Sequence, residues 1–142
     1  MKKVFLDTNI LIDAIENRRY TEEAKIILQM GRDGELSLCA AIISYINIAY
    51  ILRKRPKDLL YKYLKTLSTG IEILPMDAKQ FTLAMQSKLT DFEDAMQYQC
   101  AKMALCDMII TNNTNDFKET DTIRIMTSEQ FLTEFDTTHH SF

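Results

Sequence analysis

Two periodicities divide the chain. Lys2 to Leu6 reads Lys-Lys-Val-Phe-Leu and closes at Asp7, and Asn9 to Glu16 then places apolar residues at helical spacing, which predicts strand, turn and helix. Thr21 stands where it would cap a second helix to about Arg32, with Ala24, Ile27 and Leu28 inward and Gly31 and Gly34 around its end. Glu35 to Ala40 predicts a second strand. Ala41 to Lys54 follows as a helix that is apolar nearly all round, a pattern that predicts burial on most sides, and Pro56 stops it. Lys57 to Leu67 is amphipathic, with Leu60, Tyr63, Leu64 and Leu67 on one face, and Ser68-Thr69-Gly70 ends it before a third strand, Ile71 to Leu74.

Asp77 opens a helix to about Leu89 and Asp91 another to about Ala104, both with acids where helix N-termini accept them. Asp107 to Thr111 and Thr122 to Met126 read as strands four and five, and Ser128 is placed to cap a short last helix through Phe135. Helical stretches separate the strands and no Asn-Gly hairpin turn joins them. The predicted class is therefore α/β: a single α/β/α sandwich around a mainly parallel sheet of about five strands. Residues 1–136 are assigned to one domain and 137–142, which lack periodicity, to a loose C-terminal tail.

Composition narrows the function classes. The 142 residues are 46% apolar and 26% charged with only 3 Gly and 2 Pro, which excludes disordered and collagen-like chains. The most apolar stretch, Leu38 to Leu52, is interrupted by Ser44, Tyr45 and Asn47 and falls short of the roughly 20 residues a membrane span needs. Met1-Lys2-Lys3 begins like a signal peptide, but Asp7 and Asn9 break any apolar core, so a cytoplasmic protein with no membrane partner is expected. A net charge of −3 argues against holding nucleic acid by bulk electrostatics, so such a partner would need a local site. Cys39, Cys100 and Cys106 lack CxxC spacing and lie among apolar residues, the setting of buried thiols.

Ligands of open parallel sheets bind beyond the carboxyl ends of the strands, and acids stand at those positions. Asp7 follows the first strand, Asp116 follows the fourth after Asn112-Asn113-Thr114-Asn115, and Asp94 lies in the first turn of the helix before the fourth. Two like charges about 4 Å apart repel by roughly 4 kcal/mol at an effective dielectric near 20, a cost best offset by a divalent cation. All-oxygen donors favour Mg²⁺ or Mn²⁺. Each acid also suits a local role: Asp7 as an N-cap, Asp91 and Asp94 as a capping pair, Asp116 as a turn residue.

Val4-Phe5-Leu6-Asp7-Thr8-Asn9, Asp91-Phe92-Glu93-Asp94-Ala95 and Ile109-Ile110-Thr111-Asn112-Asn113-Thr114-Asn115-Asp116-Phe117 resemble, in order and spacing, the signature segments of the PIN-domain family and its VapC-like ribonucleases. The resemblance covers essentially the whole chain. It implies a parallel-sheet sandwich, a Mg²⁺ or Mn²⁺ site, hydrolysis of RNA phosphodiesters by a metal-activated water and, for many small members, the toxin role of a toxin–antitoxin pair. By that resemblance Asp7, Asp94 and Asp116 are the metal acids, and Thr111 and Asn113 shape the pocket. The family's usual Glu on the helix after strand two is replaced here by Asn47, whose amide oxygen can ligate or hold water but carries no charge. The alternative is a catalytically impaired PIN fold that binds RNA or a protein partner.

Arg18-Arg19 and the run Arg53-Lys54-Arg55-Pro56-Lys57 are candidate phosphate contacts, and Tyr20, Tyr45 and Tyr50 candidate base-stacking rings. Ile12, Ile15 and Leu28 raise the prospect of a homodimer or antitoxin surface, against a plain core role. A phosphoacceptor receiver domain would need an Asp ending strand three and a Lys ending strand five, where this chain has Leu74-Pro75-Met76 and no Lys after Met126.

Overall fold

The computed structural model describes residues 1–117 and 123–139. Its sheet contains β1 (Lys3–Leu6), β2 (Ser37–Ala41), β3 (Ile71–Leu74), β4 (Met108–Ile110) and β5 (Arg124–Met126), in the order β3-β2-β1-β4-β5 with every pair parallel. The connecting helices are α1 (Thr8–Ile15), α2 (Thr21–Arg32), α3 (Ile42–Ile51), α4 (Lys57–Ser68), α5 (Ala78–Gln86), α6 (Phe92–Met103) and α7 (Ser128–His139). The order reverses between β1 and β4, which makes that pair the switch point of the sheet.

Strand alternation divides the core into two layers. Val4, Leu6, Leu38, Ala40, Met108 and Ile110 face α1, α2, α3, α4 and α7, whereas Phe5, Cys39, Ala41 and Ile109 face α6 through Tyr98 and Ala101. The central strands are apolar on both faces because both are covered. A short 3-10 turn, Thr114–Phe117, follows β4 and is pinned by Phe117, which is fully buried. Burying that ring contributes roughly 1.5–3 kcal/mol, and it fixes the turn that carries Asp116. All three cysteines are buried free thiols, with Cys39 and Cys106 Sγ atoms 3.2 Å apart. At the other end of the sheet Gly70 turns the chain into β3 at φ 77°, and a Cβ there would stand 3.0 Å from the Arg32 Cα, so glycine is required twice over.

Several local expectations are corrected. Thr21 does not cap α2: its hydroxyl donates backward to the Glu16 carbonyl at 2.5 Å and accepts the Arg18 amide, and Tyr20 holds the N-cap position. Ser128 does not cap α7 either. Thr127 does, exchanging bonds with Gln130, while Ser128 donates through both N–H and Oγ to Asn112 Oδ1. The last helix continues past Phe135 to His139, into the segment expected to be a loose tail, and residues 140–142 lie outside the described residues. Helix α3 stops at Ile51 and is not buried on most sides: Ser44, Tyr45 and Ile48 are buried, whereas Ile46, Tyr50 and Ile51 are exposed. Leu28, by contrast, is buried in the core, and Ile12 and Ile15 pack against it, so these three do not form an open surface. Among the described residues no helix is long and apolar enough to cross a membrane.

Candidate active site

At the switch point the chain leaves β1 at Asp7 and β4 at Thr111. The Asp7 amide donates to the Ile110 carbonyl at 3.0 Å, which extends the ladder by one residue and brings the two strand ends together. Asp7 occupies the N-cap position of α1 but its carboxylate makes no cap bond. Instead Oδ2 accepts from Thr111 Oγ1 and from Asn9 Nδ2, each at 2.8 Å. Thr111 is fully buried, and its hydroxyl also accepts from Asn9 Nδ2 and the Asn113 amide. This network holds Asp7, itself 4% exposed, in one orientation.

Helix α6 supplies the opposite wall. Asp91 caps it by accepting the Asp94 amide at 2.9 Å, and the Asp94 carboxyl returns no bond, so it is left to the pocket. Asp7, Asn47, Asp91, Glu93, Asp94 and Asp116 line one open pocket of about 460 Å³. Of the residues singled out from the sequence, Asp7, Asp94, Asp116 and Asn47 come together there. Thr111 and Asn113 lie behind the lining, Thr111 on Asp7 and Asn113 on Asp116, whose Oδ2 accepts from Asn113 Nδ2.

Electrostatics register the crowding. Burial pushes the Asp94 carboxyl up to about 8, and the charges of Asp7, Asp91, Asp116 and Glu93 add to that shift. Burial likewise raises Asp7, against the opposing bonds from Thr111 and the Gln97 amide. The donors are all oxygens of hard carboxylates, the chemistry that Mg²⁺ and Mn²⁺ prefer. Among the described residues no three His, Cys, Asp or Glu side chains stand at ligating separation, so the acids share a pocket without forming a closed cage. Mg²⁺ asks for no such cage, since it keeps several waters and takes one or two carboxylates. Gln97, one turn beyond Asp94 and 1% exposed, turns its amide nitrogen to Asp7 and leaves Oε1 without a partner. A buried amide oxygen without a partner beside an acidic pocket fits a site built around something more than protein.

Three residues escaped the sequence reading. Asn9 clamps Asp7, Gln97 lies beside it, and Glu93 enters the pocket, accepting from Asn47 Nδ2 at 2.7 Å and Thr8 Oγ1 at 3.3 Å. Asn9 and Glu93 belong to the quoted signature segments, so a signal existed for both; Gln97 had none, being a polar residue in a helix.

Basic and aromatic candidates separate. Tyr45 is buried and its hydroxyl donates to the Leu67 carbonyl, so it is no stacking platform. Tyr50 is exposed at the pocket's edge, with the Arg53 guanidinium 4.0 Å from its ring centroid. Arg18 also lines the pocket and pairs with Asp13 at 3.3 Å.

Residues 3–115 match the family model described as PIN domain. The chain belongs to the PIN-domain family. This PIN domain is 28% identical over 145 residues to Ribonuclease VapC1 of Aquifex aeolicus (strain VF5), an alignment spanning 96% of this chain and 97% of that protein. Its fold is that of the DNA-bound VapBC structure from Salmonella typhimurium, with TM-score 0.69, 20% identity and coverage of 90% of this chain and 99% of that one. VapBC2 from Rickettsia felis, bound to a DNA fragment from its promoter, superposes with TM-score 0.68 at 17% identity over 87% of this chain and 96% of that one.

Proposed function

We propose that this PIN domain is a Mg²⁺- or Mn²⁺-dependent endoribonuclease that hydrolyses RNA phosphodiester bonds, and that it is the toxin of a toxin–antitoxin pair acting in the cytoplasm. The observation that carries the reading is the pocket at the β1/β4 switch point, which Asp7, Asp94 and Asp116 line together. The ribonuclease name of the Aquifex relative supports the reaction, and the VapBC complexes among the structural neighbours support an antitoxin partner.

Asp7 and Asp94 would hold the cation, which when bound lowers the pKa of a water and offsets charge on the phosphate. Asp116, steadied by Asn113, orients the attacking water or holds a second ion. Thr111 and Asn9 hold Asp7 in one orientation by donating to its Oδ2, and the Thr111 bond opposes the upward push of burial. Arg18 and the Arg53–Tyr50 pair at the pocket's edge supply a phosphate contact and a ring on which an unpaired base can stack. The uncovered Ile46 and Ile51 of α3 support self-association as a homodimer, which sizing in solution tests.

Cleavage of single-stranded RNA with Mn²⁺, and its loss with chelator, tests the reading. Asp7→Asn is expected to abolish the metal-dependent product; full cleavage by that variant refutes the assignment. Asn47 in place of the family's acid favours a second reading, an impaired fold that binds RNA or protein. Retained RNA affinity with no metal-dependent product would establish it.

A further inference from the structure

We propose that Glu93 is the fourth carboxylate of the cation pocket, supplied by α6 in place of the acid that α3 lacks, with Asn47 as its positioning residue. The inference rests on the reading of the pocket as a Mg²⁺ or Mn²⁺ site. Glu93 sits at the second position of α6, where a glutamate usually extends freely into water. Here it is tied from two other elements. Asn47 Nδ2 on α3 and Thr8 Oγ1 at the start of α1 both donate to Oε1, at 2.7 and 3.3 Å. Thr8 is itself fixed by a 2.6 Å bond to the fully buried Ser44 hydroxyl on α3. Both bonds end on Oε1, so Oε2 is the oxygen we assign to the cation.

The chemistry of the pair explains why residue 47 is an amide. An ionised carboxylate only accepts, so Asn47 must present Nδ2 to it and cannot be replaced by a second acid without loss. A glutamate at 47 would set two carboxylates in contact, and even at 4 Å such a pair repels by roughly 4 kcal/mol at an effective dielectric of 20. Asn47 with Glu93 therefore keeps the pocket's charge count while moving one carboxylate from α3 to α6. An independent sign that the pocket receives a ligand is Gln97, almost fully buried on the same helix, whose Oε1 has no partner.

Calorimetric titration of Mn²⁺ into the full chain tests the inference, with thermal melting in chelator confirming that each variant is folded. Glu93→Gln is expected to weaken Mn²⁺ binding by more than about tenfold, and Asn47→Ala by about tenfold, the size seen when a ligand's outer partner is removed. The exchange variant Asn47→Glu with Glu93→Gln returns the carboxylate to α3 and the amide to α6, and is expected to recover affinity to within about threefold of the native chain. A purely structural Glu93 would show no such recovery. Native affinity in Glu93→Gln, or an exchange variant no better than Glu93→Gln, overturns this inference alone. Absence of Mn²⁺ binding by the native chain overturns it together with the metal reading beneath it.

Discussion

Helix α5 begins after Asp77 with Ala78-Lys79-Gln80, and α6 after Asp91 with Phe92-Glu93-Asp94; in each, the Asp accepts the amide three residues on at 2.9 Å. In α5 the third residue answers: Gln80 Oε1 accepts the Asp77 amide at 3.0 Å and completes a capping box. In α6 the third residue does not answer, and Asp94 faces Asp7 across the pocket with its carboxyl raised to about 8. Two helix starts of nearly the same local pattern thus serve different ends. One uses both polar side chains to satisfy its own amides; the other satisfies them with one and keeps the second, under strain of charge, for the site.

The comparison can be broken most directly at the third residue. Asp94→Asn is expected to cut Mn²⁺-dependent RNA cleavage about 10²–10³-fold, as for other preorganised electrostatic contacts, while Gln80→Ala leaves the rate unchanged; initial rates on one RNA substrate measure both. Equal rates for the two variants would remove the distinction.

Stability against pH, followed by thermal melting in chelator, sharpens it further. Unfolded, Asp94 releases its proton near pH 3.9; folded, near about 8. Between these values the folded state binds more protons, so the metal-free protein loses stability as pH rises through that window. Asp7, raised in the same direction, contributes to the same slope. Asp94→Asn is expected to flatten most of the fall, whereas Gln80→Ala should lower the melting temperature by the same amount at every pH.

The smallest effects belong to the caps themselves. Asp77→Ala and Asp91→Ala are each expected to cost about 1 kcal/mol in denaturant unfolding, because both Asp residues satisfy the same kind of orphan amide. A much larger loss for Asp91 alone would mean that it serves the pocket as more than a cap.

Much of this molecule was legible from one line of residues. Strand and helix periods located all five strands and seven helices to within a few residues, because alternation and 3.6-residue spacing are local consequences of which face must be buried. The acids at strand ends were legible because a parallel sheet always offers its carboxyl edge to ligands. Caps were less so: Thr21 and Ser128 have the right side chains for capping, yet their hydroxyls went to the Glu16 carbonyl and to Asn112. The nearly all-round apolar pattern of α3 predicts burial on most sides, yet Ile46, Tyr50 and Ile51 are exposed, since periodicity reports that a face is apolar and not what covers it.

By itself the sequence determined the class of fold and the acids on which any chemistry depends, since both follow from short-range pattern and residue type. Tertiary structure decided the strand order, the freedom of the Asp94 carboxyl from its cap, and the meeting of Asn47 with Glu93. The physical reason is one of range. Hydrogen bonds and carboxylate repulsion act over a few ångströms, and residues 46 positions apart along the chain come within that reach only once α3 and α6 are packed against the same sheet.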